Sequence, residues 1–94
     1  MTIQSFRDSR LPHILDRRIP KGFPADLASV TRRKLIMLES ARTLEDLRAP
    51  PANRLEALQG DRAGQHSIRI NDQFRLCFRW TADGPEEVEC VDYH

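Results

Sequence analysis

No stretch of this chain is long and apolar enough to span a bilayer. The longest uninterrupted apolar run is Leu35 to Leu38, against the ~20 residues that a spanning helix needs. The opening residues, MTIQSFRDSR, lack the apolar segment of a secretory leader, so a cytoplasmic protein with no membrane partner is expected. Cysteine is scarce too. Cys77 and Cys90 are the only two, and their separation matches no metal motif. Each sits in a strand-like apolar stretch, which favours buried thiols packing as small apolar groups. A disulfide would require those strands to pair, and a cytoplasmic chain keeps its thiols reduced. No histidine spacing resembles a zinc site, and there is no glycine-rich phosphate loop.

What remains is the composition of a globular protein. With 94 residues, 39% of them hydrophobic and 31% charged, residues 1–94 suffice for one domain with a modest core. Formal net charge is only +1, but it is unevenly spread: +5 over residues 1–35, −1 over 36–53, +2 over 54–80 and −5 over 81–94. The basic first third is either a track for phosphates or a solvated face.

Hydrophobic periodicity divides the chain in two. Thr2 to Phe6 is short enough for an edge strand. Asp8 and Ser9 are natural caps for a brief helix carrying Leu11, Ile14 and Leu15, with Pro12 in its first turn. Arg17 to Pro24 reads as a loop broken by prolines and a glycine. The spacing of Leu27, Val30, Leu35, Leu38 and Ala41 predicts the main helix over Pro24 to Ala41, with Ala28 and Met37 flanking the stripe. Thr43 and Asp46 form a capping-box-like start for one more turn, anchored by Leu47. Pro50 and Pro51 close the helical half.

From Arg54 onward the period becomes two. Arg54 to Leu58 reads as a short strand, and Gly60 to Gly64 as a turn. Gln65 to Ile70 follows, with Ile68 and Ile70 on one face and Ser67 and Arg69 on the other. After a tight connection at Asn71-Asp72-Gln73, residues Phe74, Leu76, Phe78 and Trp80 share one face and Arg75, Cys77 and Arg79 the opposite one. A turn at Thr81 to Pro85 leads to a last strand, Glu87 to Asp92, whose alternation is imperfect. The expected fold is therefore α+β, with N-terminal helices on one face of a small, mostly antiparallel sheet and covering Ile68, Leu76 and Phe78. Arg69, Arg75 and Arg79 then share the other face. They form either a concave anion site or a solvated surface paired with Glu56, Glu87 and Glu89.

The stretch LEALQGDRAGQHSIRINDQFRLCFRW, together with the terminal VDYH, resembles the HigB branch of the RelE/ParE toxin superfamily, and the resemblance covers nearly the whole chain. It implies a RelE-like fold and ribosome-dependent mRNA cleavage that inhibits translation, without a metal or organic cofactor. The implied partners are a cognate antitoxin with a helix-turn-helix region, the ribosome and its mRNA. Operator DNA would be met only through the antitoxin. By position the family's functional residues fall on Arg75, Asp92, Tyr93 and His94. A fifth, usually histidine, falls on Glu56, and a lysine of the following turn is replaced by Gln59. Arg54, Arg62, Arg69, Gln73 and Arg79 are the RNA-binding candidates.

The chemistry can be set beside the resemblance. Metal-free RNA cleavage requires a base at a 2′-hydroxyl, a cation at the phosphate and an acid at the leaving 5′-oxygen. Glu56 or Asp92 could act as base, Arg75 could hold the phosphate oxygens, and His94 could supply the proton. Tyr93 either stacks on an unpaired base or caps the core. His13 and His66 read as ordinary surface or half-buried histidines. The alternative function is a non-catalytic toxin that binds its target, either DNA gyrase in the manner of the ParE branch or a component of ribosome assembly. The DYH ending argues against it and Glu56 in place of histidine argues for it.

Overall fold

The computed structural model describes residues 2–92; the candidates Tyr93 and His94 lie outside the described residues. The main helix, α2, spans Ala25–Ser40, within one residue of the expected bounds at each end. Pro24 stands just before it, where the missing N–H costs nothing. Its buried stripe is Leu27, Ala28, Thr31, Lys34, Leu35 and Leu38, which recurs every three or four residues and so forms one side of the cylinder. Fully burying a leucine such as Leu35 or Leu38 stabilises by ~1.5–3 kcal/mol. The short helix α1, Leu11–Leu15, packs Leu11 and Ile14 into the same core. Asp8 does not cap it as expected. Its carboxylate accepts from the Arg10 backbone and guanidinium instead, and also from the Cys90 backbone N–H at 3.3 Å.

Two short 3-10 turns, Leu44–Leu47 and Pro51–Asn53, connect the helices to the sheet. At the first, Thr43 Oγ1 accepts from the Asp46 N–H, and the Asp46 carboxylate accepts from the Thr43 N–H, which completes the expected capping box. The second ends on Arg54, whose backbone is left-handed at φ 45.

Among the described residues the sheet has four antiparallel strands in sequence order: β1 (Glu56–Ala57), β2 (His66–Arg69), β3 (Phe74–Thr81) and β4 (Gly84–Asp92). The expected strand from Arg54 to Leu58 is thus cut to two residues, because the left-handed turn at Arg54 delays pairing. β4 begins earlier than its alternation suggested and carries one extra residue against β3, between the pairs Cys77↔Glu89 and Arg79↔Glu86. Glu87 absorbs it at φ 54. The bulge lets both Pro85 and Val88 be buried on either side of it, while the adjacent Cys90 and Val91 that break the alternation lie beyond it.

The helices cover the face bearing Ile68, Leu76, Phe78 and Val88. The expected N-terminal edge strand is a strap rather than a strand. It runs parallel beside β4 with a single bridge, Phe6↔Val88, and hydrogen bonds such as Val88 N–H to Ser5 O at 3.1 Å. Cys77 is buried and Cys90 half-buried, both as free thiols. No helix among the described residues is long and apolar enough to cross a membrane.

Candidate functional site

The sheet register decides which candidates meet. Residues paired directly across antiparallel strands project to the same face. One row on the face away from the helices is therefore Glu56–Ser67–Cys77–Glu89, and the next is Arg69–Arg75–Val91. Arg75 lies at the centre of this surface and is only 9% exposed, although strand alternation alone would leave it open to solvent. Ser67 and Arg54 hold it through directed bonds. Its Nε donates to Ser67 Oγ at 2.7 Å, and its Nη2 donates to the Arg54 carbonyl at 2.6 Å and to the Ser67 carbonyl at 3.3 Å. A buried guanidinium requires such acceptors. The left-handed backbone at Arg54 belongs to the turn that offers one of them.

Glu56 reaches Arg75 Nε at 3.7 Å and is half exposed. Arg54, Arg69 and Arg75, with Asn71 and Asp72, line a depression of about 200 Å³, and Arg69 is ion-paired with Asp72. Behind this depression, buried Lys34 donates to Asn53 Oδ1 at 2.6 Å, and Asn53 Nδ2 donates to the Leu47 carbonyl at 3.1 Å. The Lys34 amine is pushed below its usual range by burial first, then by Arg33 and Arg69. No periodicity points to Asn53, whereas for Lys34 a charged residue inside an otherwise largely apolar helical stripe is the available signal.

The other candidates lie apart from that depression. Arg62 spans to Glu89 at 2.5 Å and bonds Gln65, and this ion pair stands beside the fully buried Cys77 in the row between Arg75 and Arg79. Burial raises the Cys77 thiol above its usual range, Arg62 acting against it. Arg79 pairs with Glu87 at 3.5 Å and approaches the Gly64 carbonyl. A side chain at position 64 would collide with that guanidinium. The expected arginine face is therefore divided into a cluster of Arg54, Arg69 and Arg75 and a separate Arg79, and Arg75, Arg62 and Arg79 each have a glutamate beside them. Asp92 is opposite Phe74, not Arg75, which puts it on the helix-side pleat, where its carboxylate accepts from Gln73 Nε2 at 3.1 Å.

A small α+β chain with a clamped arginine in a basic depression has relatives. The sequence model of the HigB-like toxins, described as RelE-like toxins of the type II toxin–antitoxin system HigB, matches residues 4–94. The chain belongs to this family. HigB-like membership makes it a toxin of a type II toxin–antitoxin system and implies an antitoxin partner. It is 46% identical over 90 residues to Toxin HigB-1 of Vibrio cholerae serotype O1, covering 95% of this chain and 94% of that one. An uncharacterized protein of Haemophilus influenzae is 42% identical over 57 residues, covering 61% of this chain and 56% of its own length. In three dimensions the HigB-like chain is similar to a YoeB/ParE toxin from Agrobacterium tumefaciens, with a TM-score of 0.58 and 21% identity over the full length of both chains. That likeness shows that the two chains share a fold.

Proposed function

We propose that this HigB-like toxin is a ribosome-dependent, metal-independent endoribonuclease, a single toxin domain acting on mRNA in the cytoplasm. The observation that carries the reading is the Arg75 guanidinium, fixed by Ser67 and Arg54 at the edge of an arginine-lined depression with the Glu56 carboxylate 3.7 Å away. A bound phosphodiester would lie against Arg75, with Arg54 and Arg69 on its flanking phosphates. A carboxylate, Glu56 or Asp92, takes the proton of the 2′-hydroxyl. The freed oxygen then attacks phosphorus and forms a cyclic 2′,3′-phosphate. The P–O5′ bond breaks, and an acid, with His94 as the candidate, protonates the departing oxygen. Tyr93 is the candidate for stacking on a base. Of the two bases, Glu56 is favoured by its place in the row beside Arg75, whereas Asp92 lies on the opposite pleat. An acid/base set this thin depends on another body to position the substrate, and the ribosome is that partner. The cognate helix-turn-helix antitoxin restrains the toxin and carries it to operator DNA.

Cleavage of a translated message, mapped by primer extension with and without ribosomes, tests the reading. Purified toxin alone should barely cut RNA, and ribosomes should raise cutting sharply. Arg75→Ala should abolish growth arrest, and Glu56→Gln should lower cleavage by roughly 10²–10⁴, the usual worth of general acid–base catalysis. Growth arrest without any cut message would instead favour a toxin that acts by binding, on gyrase or on ribosome assembly.

A further inference from the structure

Among the described residues two large apolar side chains stand in the open, Ile19 at 57% and Ile36 at 39% exposure. Single exposed apolar residues need no account, but here one lines a concavity and the other stands one helical turn beyond its Arg32 rim. The concavity is a groove of about 160 Å³ between the end of α1 and the outer side of α2. Ile14, Ile19 and Ala28 make its apolar lining, and Arg17, Arg18 and Arg32 its cationic rim. Along α2, Ala25, Ser29, Arg32 and Ile36 succeed one another at helical spacing, so Ile36 extends the same row one turn past Arg32. Ala25, Ala28 and Ser29 are small, which lets another backbone approach closely.

The end of α1 adds an independent observation. Arg18 N–H donates to the His13 carbonyl at 2.8 Å and Arg17 N–H to the Ile14 carbonyl at 3.1 Å, with Arg17 at φ 65. This is the helix-ending turn whose left-handed position glycine usually fills. Here a long cation occupies the strained position, and its side chain lines the groove.

We infer that this groove is where the antitoxin docks, through a segment presenting apolar side chains to Ile19 and Ile36 and acidic ones to Arg17, Arg18 and Arg32. RNA is the alternative occupant for a cationic rim. The groove suits it poorly, because its apolar surface is aliphatic and none of its lining residues offers an aromatic ring for a base to stack on. The groove also lies on the helix side of the sheet, away from Arg75, so its residues can be changed without touching the proposed site.

The test compares the full-length toxin with Arg17→Gly and Ile19→Asp, using the purified cognate antitoxin as the probe. Arg17→Gly removes a rim cation while relieving the backbone, so its melting temperature should hold or rise. Its affinity for the antitoxin should nevertheless fall roughly tenfold, with a weaker salt dependence. Ile19→Asp should fall further. In cells both variants should still arrest growth and should escape neutralisation by co-expressed antitoxin. Wild-type antitoxin affinity in a folded Arg17→Gly protein would overturn the inference. So would variants that remain neutralised but lose growth arrest and co-sedimentation with ribosomes, an outcome that assigns the groove to RNA. Growth arrest and antitoxin binding are read without reference to cleavage, so failure here is distinct from failure of the nuclease reading.

Discussion

Arg75 shows how much a single side chain depends on acceptors supplied by other segments. Its Nε has Ser67 Oγ at 2.7 Å, while the Glu56 carboxylate is further off at 3.7 Å. The hydroxyl therefore fixes the guanidinium plane, which in the proposed mechanism leaves Glu56 to act as base. Ser67→Ala should lower the rate of cleavage on the ribosome about tenfold, the worth of a hydrogen bond to a charged group. The toxin concentration giving half-maximal rate should change little, and Ser67→Thr should restore activity. A purely structural serine would lower thermal stability without that division between rate and binding. His66, on β2, offers a second test. Its Nδ1 is buried with no hydrogen-bond partner among the described residues, and burial, then Arg48, pushes its pKa below the usual value. The unfolded chain accepts the proton near pH ~6.5, before the folded one does. Stability should therefore be intact above that pH and decline as pH falls through the lowered folded value. His66→Gln should flatten that decline in denaturant titrations run from about pH 7 to 5.

The turn between Leu47 and Arg54 is where helix and site are coupled. Buried Asn53 accepts from Lys34 of α2 and donates to the Leu47 carbonyl, and the next residue offers its carbonyl to Arg75. Asn53→Ala would remove both bonds and strand a buried ammonium. A loss of about 2–3 kcal/mol is expected from urea unfolding. Cleavage should suffer too, because the Arg54 turn is no longer pinned. Lys34→Met combined with Asn53→Leu should recover much of the stability, since no charge is then left unpaired. If the double variant is less stable than Asn53→Ala alone, the bond is not what holds the turn.

The N-terminal strap closes the fold. It runs along the edge of β4, Ile3 is buried, and the Ile3 N–H donates to Glu39 of α2 at 2.7 Å. The strap thus ties sheet to helix and covers backbone groups that would otherwise pair with another chain. Ile3→Asp should detach it, lowering the melting temperature and producing concentration-dependent self-association by size-exclusion chromatography. A monomer with wild-type stability would show that β4 needs no cover.

Much of this was legible in local pattern. The 3.6-residue stripe marked α2 to within a residue, Thr43 and Asp46 announced their cap, and alternation along Phe74 to Trp80 identified the face that the helices cover. These features depend on neighbours a few positions apart, so the amino-acid order alone determines them. Alternation says which way Arg75 points but not what lies over it. Its burial required the Arg54 turn to fold back against β2 and β3. Likewise the division of the arginines into two groups rests on Arg62 reaching Glu89 across the sheet, and the separation of Asp92 from Arg75 rests on strand register. The bulge at Glu87 resets that register by one residue. Such facts arise between segments distant in the chain, where backbone acceptors and opposite charges find each other only after the sheet has formed.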